Sequence, residues 1–171
     1  VGEIRDKETA KIASTAALTG HLVLSTVHTN TAAEALVRML DMDIEPYLLA
    51  ASISGVLAQR LVRKLCPYCK TSRAITPEDQ KMYNLALKDK IYFPKGCPKC
   101  RGTGYIERIG IHEYLPYNRE IKELILQKKS SVYLENACQR MGFISLKEDA
   151  LLKVAAGLTS LEEVVRLSSG V

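Results

Sequence analysis

The N-terminal part of the chain alternates between helical and strand-like patterns of apolar residues. The Ala-rich stretch Thr9–Thr19 carries apolar side chains at helical spacing and is followed by Gly20, a common helix terminator, so it predicts a helix. The run Leu22–Val27 is continuous and rich in β-branched residues, which is typical of a short buried strand. Two further helices are predicted, from Thr31 to about Met42 and from Pro46 through Leu61, because both segments present broad apolar faces.

The second half of the chain contains short elements around its cysteines and is then helical to the end. A helix is predicted from Pro77 to about Leu87, because the Thr-Pro-Glu-Asp at its start places an N-cap before a proline. A turn at Lys88–Lys90 and a short strand at Ile91–Phe93 follow, and the glycines and β-branched residues between Gly102 and Ile111 predict a hairpin. The last four predicted helices cover residues 120–128, 132–140, 146–156 and 161–167.

Two cysteine pairs carry the strongest chemical signal. Cys66-Pro-Tyr-Cys69 and Cys97-Pro-Lys-Cys100 each have the spacing that lets two thiolates bind one ion, and residues 70–96 are long enough to bring the pairs together. Four thiolates are the expected shell of a structural zinc ion. The alternatives are two disulfides or a thioredoxin-like redox site, but disulfide frameworks belong to small secreted chains and no βαβ pattern flanks either pair. The fifth cysteine, Cys138, is predicted to be a small core residue.

Composition is that of a folded globular protein with room for one domain and a small satellite. Of the 171 residues, 47% are hydrophobic and 25% are charged. The formal charge of +5 is modest, and four zinc-bound thiolates would lower it further, so basicity alone does not predict nucleic acid binding. No apolar run approaches the length of a membrane span, no signal peptide is visible, and the cysteine usage indicates a reducing cytoplasm.

Two polar residues follow predicted strands. Val1–Asp6 reads as the end of a buried strand that leads into a helix, with Glu3 at its tip, and His28 follows the run Leu22–Val27. Ligands bind at the carboxyl ends of strands in open α/β sheets, so the two tips are expected to face one crevice. Taken alone, Glu3 is better explained as a loop residue beside an Asp6 N-cap, whereas His28 is equally consistent with a functional and a structural role.

Several motifs, taken in their order along the chain, resemble the C-terminal part of the secretion ATPases. This superfamily has type II secretion and type IV pilus assembly members. Gly2–Asp6 is similar to the end of the family's Walker B block, and Gly20–Asn30 to its histidine box. Gln59–Arg63, followed by Cys66, resembles the stretch that leads into a tetracysteine subdomain. The blocks after that subdomain are matched by Thr103–Tyr105, Gly110–Glu113 and Gly157–Ser160.

The resemblance implies an α/β fold in three segments: the C-terminal part of a RecA-like P-loop ATPase domain at 1–64, an inserted tetracysteine zinc subdomain at 65–113 and a C-terminal helical bundle at 114–171. It also implies a homo-hexameric, magnesium-dependent ATPase motor. Such a motor drives pilin or pseudopilin assembly from the cytoplasmic face of the inner membrane, with membrane platform components and no nucleic acid as partners. Glu3 would be the Walker B acid, His28 would contact the γ-phosphate of ATP, Arg5 would assist, and the zinc would be structural.

The chain departs from the family pattern because the P-loop motif G-x-x-x-x-G-K-S/T is absent: no glycine is followed by lysine. That motif supplies the phosphate cradle and the side chains that hold the phosphates and magnesium. The sequence therefore predicts a fragment that begins downstream of the P-loop and does not hydrolyse ATP by itself. The alternative is a zinc-ribbon nucleic-acid-binding module or another zinc-stabilised interaction module. A co-chaperone zinc centre is disfavoured, because its Cys-x-x-Cys-x-Gly-x-Gly unit occurs once, at Cys97–Gly104.

Overall fold

The computed structural model describes residues 1–83 and 90–169 and has an α/β fold. Its helices are α1 Lys7–Leu18, α2 Ala32–Asp41, α3 Pro46–Ser52, α4 Pro77–Tyr83, α5 Arg119–Leu126, α6 Ser131–Arg140, α7 Leu146–Ala155 and α8 Leu161–Ser169. The strands are β1 Gly55–Leu65, β2 Thr71–Ala74, β3 Lys90–Phe93 and β4 Tyr105–Pro116, and a short 3-10 helix covers Pro98–Cys100. Within the described ranges β1 pairs with β4 and β2 pairs with β3. No helix in those ranges has the length and apolar character needed to cross a membrane.

The residues form two compact units, each with its own apolar core. The first unit comprises Val1–Ala58 and Glu113–Ile144, and its core lies among α1, α2, α3, α5 and α6. The second comprises Gln59–His112 and Ser145–Val171, and its core includes side chains from β1, β3, β4, α7 and α8. Both β1 and β4 contribute residues to both units. The three-segment division expected from the sequence stays a prediction.

Local capping signals are reproduced closely. Asp6 caps α1 by accepting a bond from the Thr9 amide at 2.9 Å. Thr31 caps α2 by accepting from the Glu34 amide at 3.2 Å. At α7, Ser145 and Glu148 form a capping box. The predicted helices at the C-terminal end, in α5 to α8, are confirmed to within a few residues.

The predicted buried strand at Leu22–Val27 is wrong, as is a strand at the N-terminus. The two stretches run side by side, because the Val1 amino group donates to the Leu24 carbonyl at 3.0 Å and the Ile4 amide to the Thr26 carbonyl at 2.9 Å, but neither is a regular strand. Leu22 and Leu24 are 83% and 73% exposed, whereas the valines of the run pack against the core. A continuous apolar run shows which residues favour burial, but here only one face of the run is covered.

The predicted long helix after Pro46 is also wrong in its second half. It ends at Ser52, and β1 begins at Gly55, so Leu57 and Leu61 lie on a strand and are exposed, whereas Val62 is buried. The apolar positions of this segment fit a helical spacing, but the helix ends before Ser54-Gly55, and the residues from Gly55 onward pair with β4. The predicted hairpin after the second cysteine pair is instead one long strand, β4, which pairs with β1.

The segment between the cysteine pairs contains the predicted helix start and strand. Thr76 and Asp79 exchange reciprocal bonds at the beginning of α4, with the Asp79 amide 3.2 Å from the Thr76 hydroxyl and the Thr76 amide 2.9 Å from the Asp79 carboxylate. The predicted strand is confirmed as β3 and pairs antiparallel with β2, with Thr71 opposite Phe93. The predicted helix end near Leu87 and the start of the predicted turn that follows it lie outside the described residues.

A buried carboxylate attaches α8 to β1. Glu163 accepts three bonds from Arg63: from its amide at 2.7 Å, its Nε at 2.9 Å and its Nη2 at 2.7 Å. Arg166 donates to the same carboxylate at 2.9 Å, and Thr159 donates to the Arg63 carbonyl at 2.8 Å. Burial alone would raise the pKa of Glu163, but the bonds from Arg63 and the charge of Arg166 together lower it below its ordinary value.

We expect Glu163→Gln to lower the free energy of unfolding by about 2 kcal/mol, because it removes the charge that neutralises Arg63. The loss is smaller than for a fully buried pair, since the Arg63 side chain is 41% exposed. The pKa of Glu163 is lowered on folding, so its stabilisation is present above the unfolded value of about 4.3 and is lost as pH falls through the folded value.

Urea denaturation of the wild type and the Glu163→Gln variant, at neutral pH and at about pH 3, measures this contribution. The difference between the two proteins should shrink at the lower pH. Glu162→Gln, which changes the exposed neighbour, is the matched control. An equal loss of stability in the control would contradict the assigned role of Glu163.

Candidate functional site

The four predicted zinc ligands converge. Cys66 follows the end of β1 directly, and Cys69 lies in the turn before β2. Cys97 immediately precedes the short 3-10 helix, and Cys100 is its last residue. The Sγ–Sγ distances are 3.9 Å for Cys66–Cys97, 3.8 Å for Cys69–Cys100 and 3.7 Å for Cys97–Cys100. All four sulfur atoms lie within 4.8 Å of one another.

These distances fit a tetrahedral metal site and do not fit disulfides. A zinc–sulfur bond of about 2.3 Å in tetrahedral geometry separates the sulfur atoms by about 3.8 Å. A disulfide would need about 2.05 Å, and all four cysteines are free thiols. Their chemistry and spacing therefore suit a structural zinc ion bound by Cys66, Cys69, Cys97 and Cys100, with no open position for catalysis.

The second cysteine pair is shaped by backbone conformations that favour glycine. Gly102 and Gly104 have φ values of 78° and 77°, and a side chain on Gly104 would overlap Pro94. The sharp turn directs two main-chain amides, those of Cys97 and Gly104, at the Cys100 sulfur, each at 3.2 Å. The glycines after this pair therefore have a direct structural role in forming the site.

The thiols differ in acidity. Burial raises the pKa of the Cys100 thiol, but the amides of Cys97 and Gly104 and the neighbouring thiols lower it by more than burial raises it. The resulting pKa is about 6. Burial and the thiols of Cys66, Cys97 and Cys100 raise the pKa of Cys69 to about 12, against one opposing amide bond from Gly96. Because thiolates are the metal ligands, binding must release the remaining protons, and affinity should rise with pH.

The predicted catalytic residues also meet, in the first unit. The Glu3 carboxylate lies 2.5 Å from Nη2 of Arg5 and 3.0 Å from Nε2 of His28. The Glu3 side chain is 19% exposed, whereas that of His28 is 85% exposed. The hydrogen bond from Arg5 is the largest cause of a lowered pKa at Glu3, with the charges of Arg5 and His28 adding to it against some burial. The cluster thus combines an ionised carboxylate with an accessible imidazole.

Hydrogen bonds join the segment that contains Glu3 to the segment that leads to His28. The Thr26 hydroxyl donates to the Gly2 carbonyl at 2.8 Å, and the Ile4 amide donates to the Thr26 carbonyl at 2.9 Å. These bonds flank Glu3 on both sides and fix the segment that leads to His28. The expected closeness of the two tips is therefore observed, although the segments are extended chain and not regular strands.

One buried residue of the first unit was missed by sequence analysis. Glu113 lies on β4, and its carboxylate accepts from the Ala32 amide at 2.5 Å. Burial alternates along this part of the strand, so that Ile111, Glu113 and Leu115 face inward. A carboxylate at an inward position of an alternating strand is the feature of the sequence that indicates such a residue.

The fold is similar to that of part of two ATPases of known structure. The ATPase DotB of Legionella pneumophila superposes with a TM-score of 0.67 and 21% identity, covering all of this chain and 38% of that one. The pilus retraction motor PilT with bound ADP gives a TM-score of 0.65 and 25% identity, over 98% of this chain and 38% of that one.

The sequence matches the type II/IV secretion system protein family over residues 1–166, and the chain belongs to this family. It is 49% identical to the type II secretion system ATPase E of Vibrio cholerae, over 98% of the chain and 34% of that protein. It is 45% identical to the type IV pilus assembly ATPase TfpB of Acinetobacter baylyi, over 98% of the chain and 29% of that protein. The chain therefore spans about a third of the length of these relatives.

We expect Cys97→Ser to abolish binding of one zinc ion per chain and to unfold residues 66–100. Structural zinc sites contribute on the order of 10–16 kcal/mol of apparent binding free energy, enough to decide whether a small segment folds. Metal analysis and hydrogen exchange measure both effects.

Cys138→Ala is the control, because Cys138 is buried in the first unit and belongs to no metal-ligating group of the described residues. This variant should keep its zinc and its protection across residues 66–100. Retention of zinc by the Cys97 variant, or its loss from the Cys138 variant, would show that the ligands are assigned wrongly.

Proposed function

We propose that this chain is part of a hexameric Mg-ATP-hydrolysing motor that powers pilin or pseudopilin assembly in type II secretion or type IV pilus biogenesis. The motor works at the cytoplasmic face of the inner membrane and docks on platform components there. Membership of the secretion family over residues 1–166 is the observation that carries the proposal, and the pairing of Glu3 with His28 is consistent with it. The alternative of a zinc-ribbon nucleic-acid-binding module is not favoured, because the family match extends far beyond the cysteines.

In this motor the three segments have separate tasks. Residues 1–64 complete the RecA-like ATPase core, residues 65–113 form an inserted zinc subdomain, and residues 114–171 form a helical subdomain. The zinc is structural, since four thiolates complete its shell. It holds the cysteine segment in shape for contacts within the hexamer or at the membrane.

Glu3 polarises the attacking water or holds magnesium through a water molecule. Because Arg5 lowers the pKa of its carboxyl group, Glu3 is a weak proton acceptor at neutral pH and is better suited to orienting the attacking water than to removing its proton. The role of Arg5 is to keep this carboxylate ionised and in place. Magnesium, when bound, neutralises charge on the phosphates.

His28 contacts the γ-phosphate. At 3.0 Å, Nε2 is within hydrogen-bond distance of Glu3, and an N–H at this position would donate a hydrogen bond to the carboxylate. The ring is largely exposed, so its other edge is accessible to a ligand. An imidazole fixed by a carboxylate on one side can report at its other side whether a phosphate is present.

This chain, assayed alone, should show no ATP turnover above buffer. The phosphate-cradling loop is absent from its sequence, and the remaining residues supply neither its amides nor its lysine. Phosphate release by the purified chain measures this. Turnover that is lost on Glu3→Gln would contradict the expectation, whereas turnover unaffected by that change would indicate a contaminant.

In the full-length protein, His28→Ala should lower kcat by about a hundredfold and leave the affinity for ATP nearly unchanged, because the side chain acts on the reacting phosphate. Steady-state kinetics and nucleotide binding measure the two effects. His21→Ala is the control: its Nδ1 lies 3.2 Å from the Ala16 carbonyl at the end of α1, a structural position. An unchanged kcat in the His28 variant would assign His28 a structural role.

A further inference from the structure

Glu113 is a buried carboxylate that bonds the first amide of α2. The residue is 5% exposed and lies between Ile111 and Leu115, both fully buried, along the inward face of β4. Its Oε1 accepts from the Ala32 amide at 2.5 Å. A buried carboxylate is costly unless it is bonded, and the unpaired amides at a helix N-terminus are a favourable partner for negative charge.

Ala32 begins α2 only four residues after His28, and local hydrogen bonds span the turn between them. The Glu34 carboxylate accepts from the Asn30 amide at 2.9 Å, and the Thr29 hydroxyl donates to the Thr31 carbonyl at 3.1 Å. These bonds are local and stiffen the turn.

Glu113 attaches this turn to a part of the chain that is distant in sequence. A second distant contact, from the Thr31 hydroxyl to Glu135, is longer, at 3.5 Å. On the other side of His28, Thr26 is bonded to Gly2, next to Glu3. His28 thus lies between two fixed points, one at Thr26 and one at Ala32.

We propose that Glu113 is a positioning residue for His28: by binding the Ala32 amide, it fixes the turn 28–32 so that the imidazole stays against Glu3. This inference rests on the proposed function, in which His28 acts on the γ-phosphate. The His28 side chain is exposed, so its own packing contributes little to its orientation. Its bond to Glu3 therefore depends on where the backbone on either side places the ring.

The effect on rate should be large relative to the effect on substrate binding. A displacement of about 1 Å in a catalytic group can cost about a hundredfold in rate. Glu113 is bonded to the helix amide and not to nucleotide, so its loss should lower kcat and leave the KM for ATP unchanged. A residue that merely stabilises the helix would instead lower the amount of folded protein.

The test uses the full-length protein with Glu113→Ala, Glu113→Gln, His28→Ala and the double variant His28→Ala/Glu113→Ala. Glu123→Gln is the matched control, because Glu123 is an exposed glutamate of the same unit. We expect Glu113→Ala to lower kcat by about tenfold or more at unchanged KM, and Glu113→Gln, which keeps an oxygen acceptor for Ala32, to recover most of the loss.

The double variant decides whether Glu113 acts through His28. If it does, adding Glu113→Ala to His28→Ala should cause no further loss in kcat. Losses that multiply, an unchanged kcat in Glu113→Ala, or a glutamine variant as slow as the alanine variant would each overturn the proposal.

Hydrogen exchange at the Ala32 amide is the readout that does not depend on activity. Its protection should fall about tenfold or more in Glu113→Ala and persist in Glu113→Gln and Glu123→Gln. If His28→Ala leaves kcat unchanged, the proposed function of His28 fails and the positioning role fails with it. If His28→Ala is slow while Glu113→Ala is normal, only the role of Glu113 is overturned.

Discussion

Closure of the cysteine site is the constraint on which the second unit depends. Cys66 follows β1 directly and Gly104 precedes β4 directly, and the Cys66 amide donates to the Gly104 carbonyl at 2.9 Å. The four sulfur atoms therefore lie at the base of the long segment that connects these paired strands. Closing such a segment costs conformational entropy that grows with its length, and a metal ion shared by four thiolates would offset this cost. Metal binding and pairing of β1 with β4 should accordingly be coupled.

A second kind of long-range interaction occurs in both units: a buried carboxylate bonded to a main-chain amide that is distant in sequence. Glu163 binds the amide of Arg63, and Glu113 binds the amide of Ala32. In each case a charged side chain is held inside an apolar core by donors that the backbone presents at fixed positions, which lowers the cost of burial. Glu163 is also matched by two guanidinium groups, from Arg63 and Arg166. One carboxylate attaches α8 to β1, and the other attaches the start of α2 to β4.

Sequence reasoning succeeded where the signal is short-range and failed where burial depends on distant chain. The cap at Asp6 and the spacing of the cysteine pairs are set by residues within four positions, so both were predictable. Leu57 and Leu61 fit a helix by spacing, yet lie on β1, because a strand partner far along the chain decides the conformation. Glu3 and His28 were expected together for a reason that proved partly wrong: their segments are adjacent but are not regular strands. The partner of Glu113 is remote in sequence, so no local pattern revealed it.

The exposed side of the run at Leu22 and Leu24 has a consequence for handling the isolated chain. The backbone there is extended, and another polypeptide can pair with an extended apolar edge as an additional strand. Covering these two side chains would gain about 3–6 kcal/mol. The colloidal behaviour of the chain should therefore be governed by this edge more than by its charge of +5, with self-association that increases with concentration and is only weakly reduced by changes in salt.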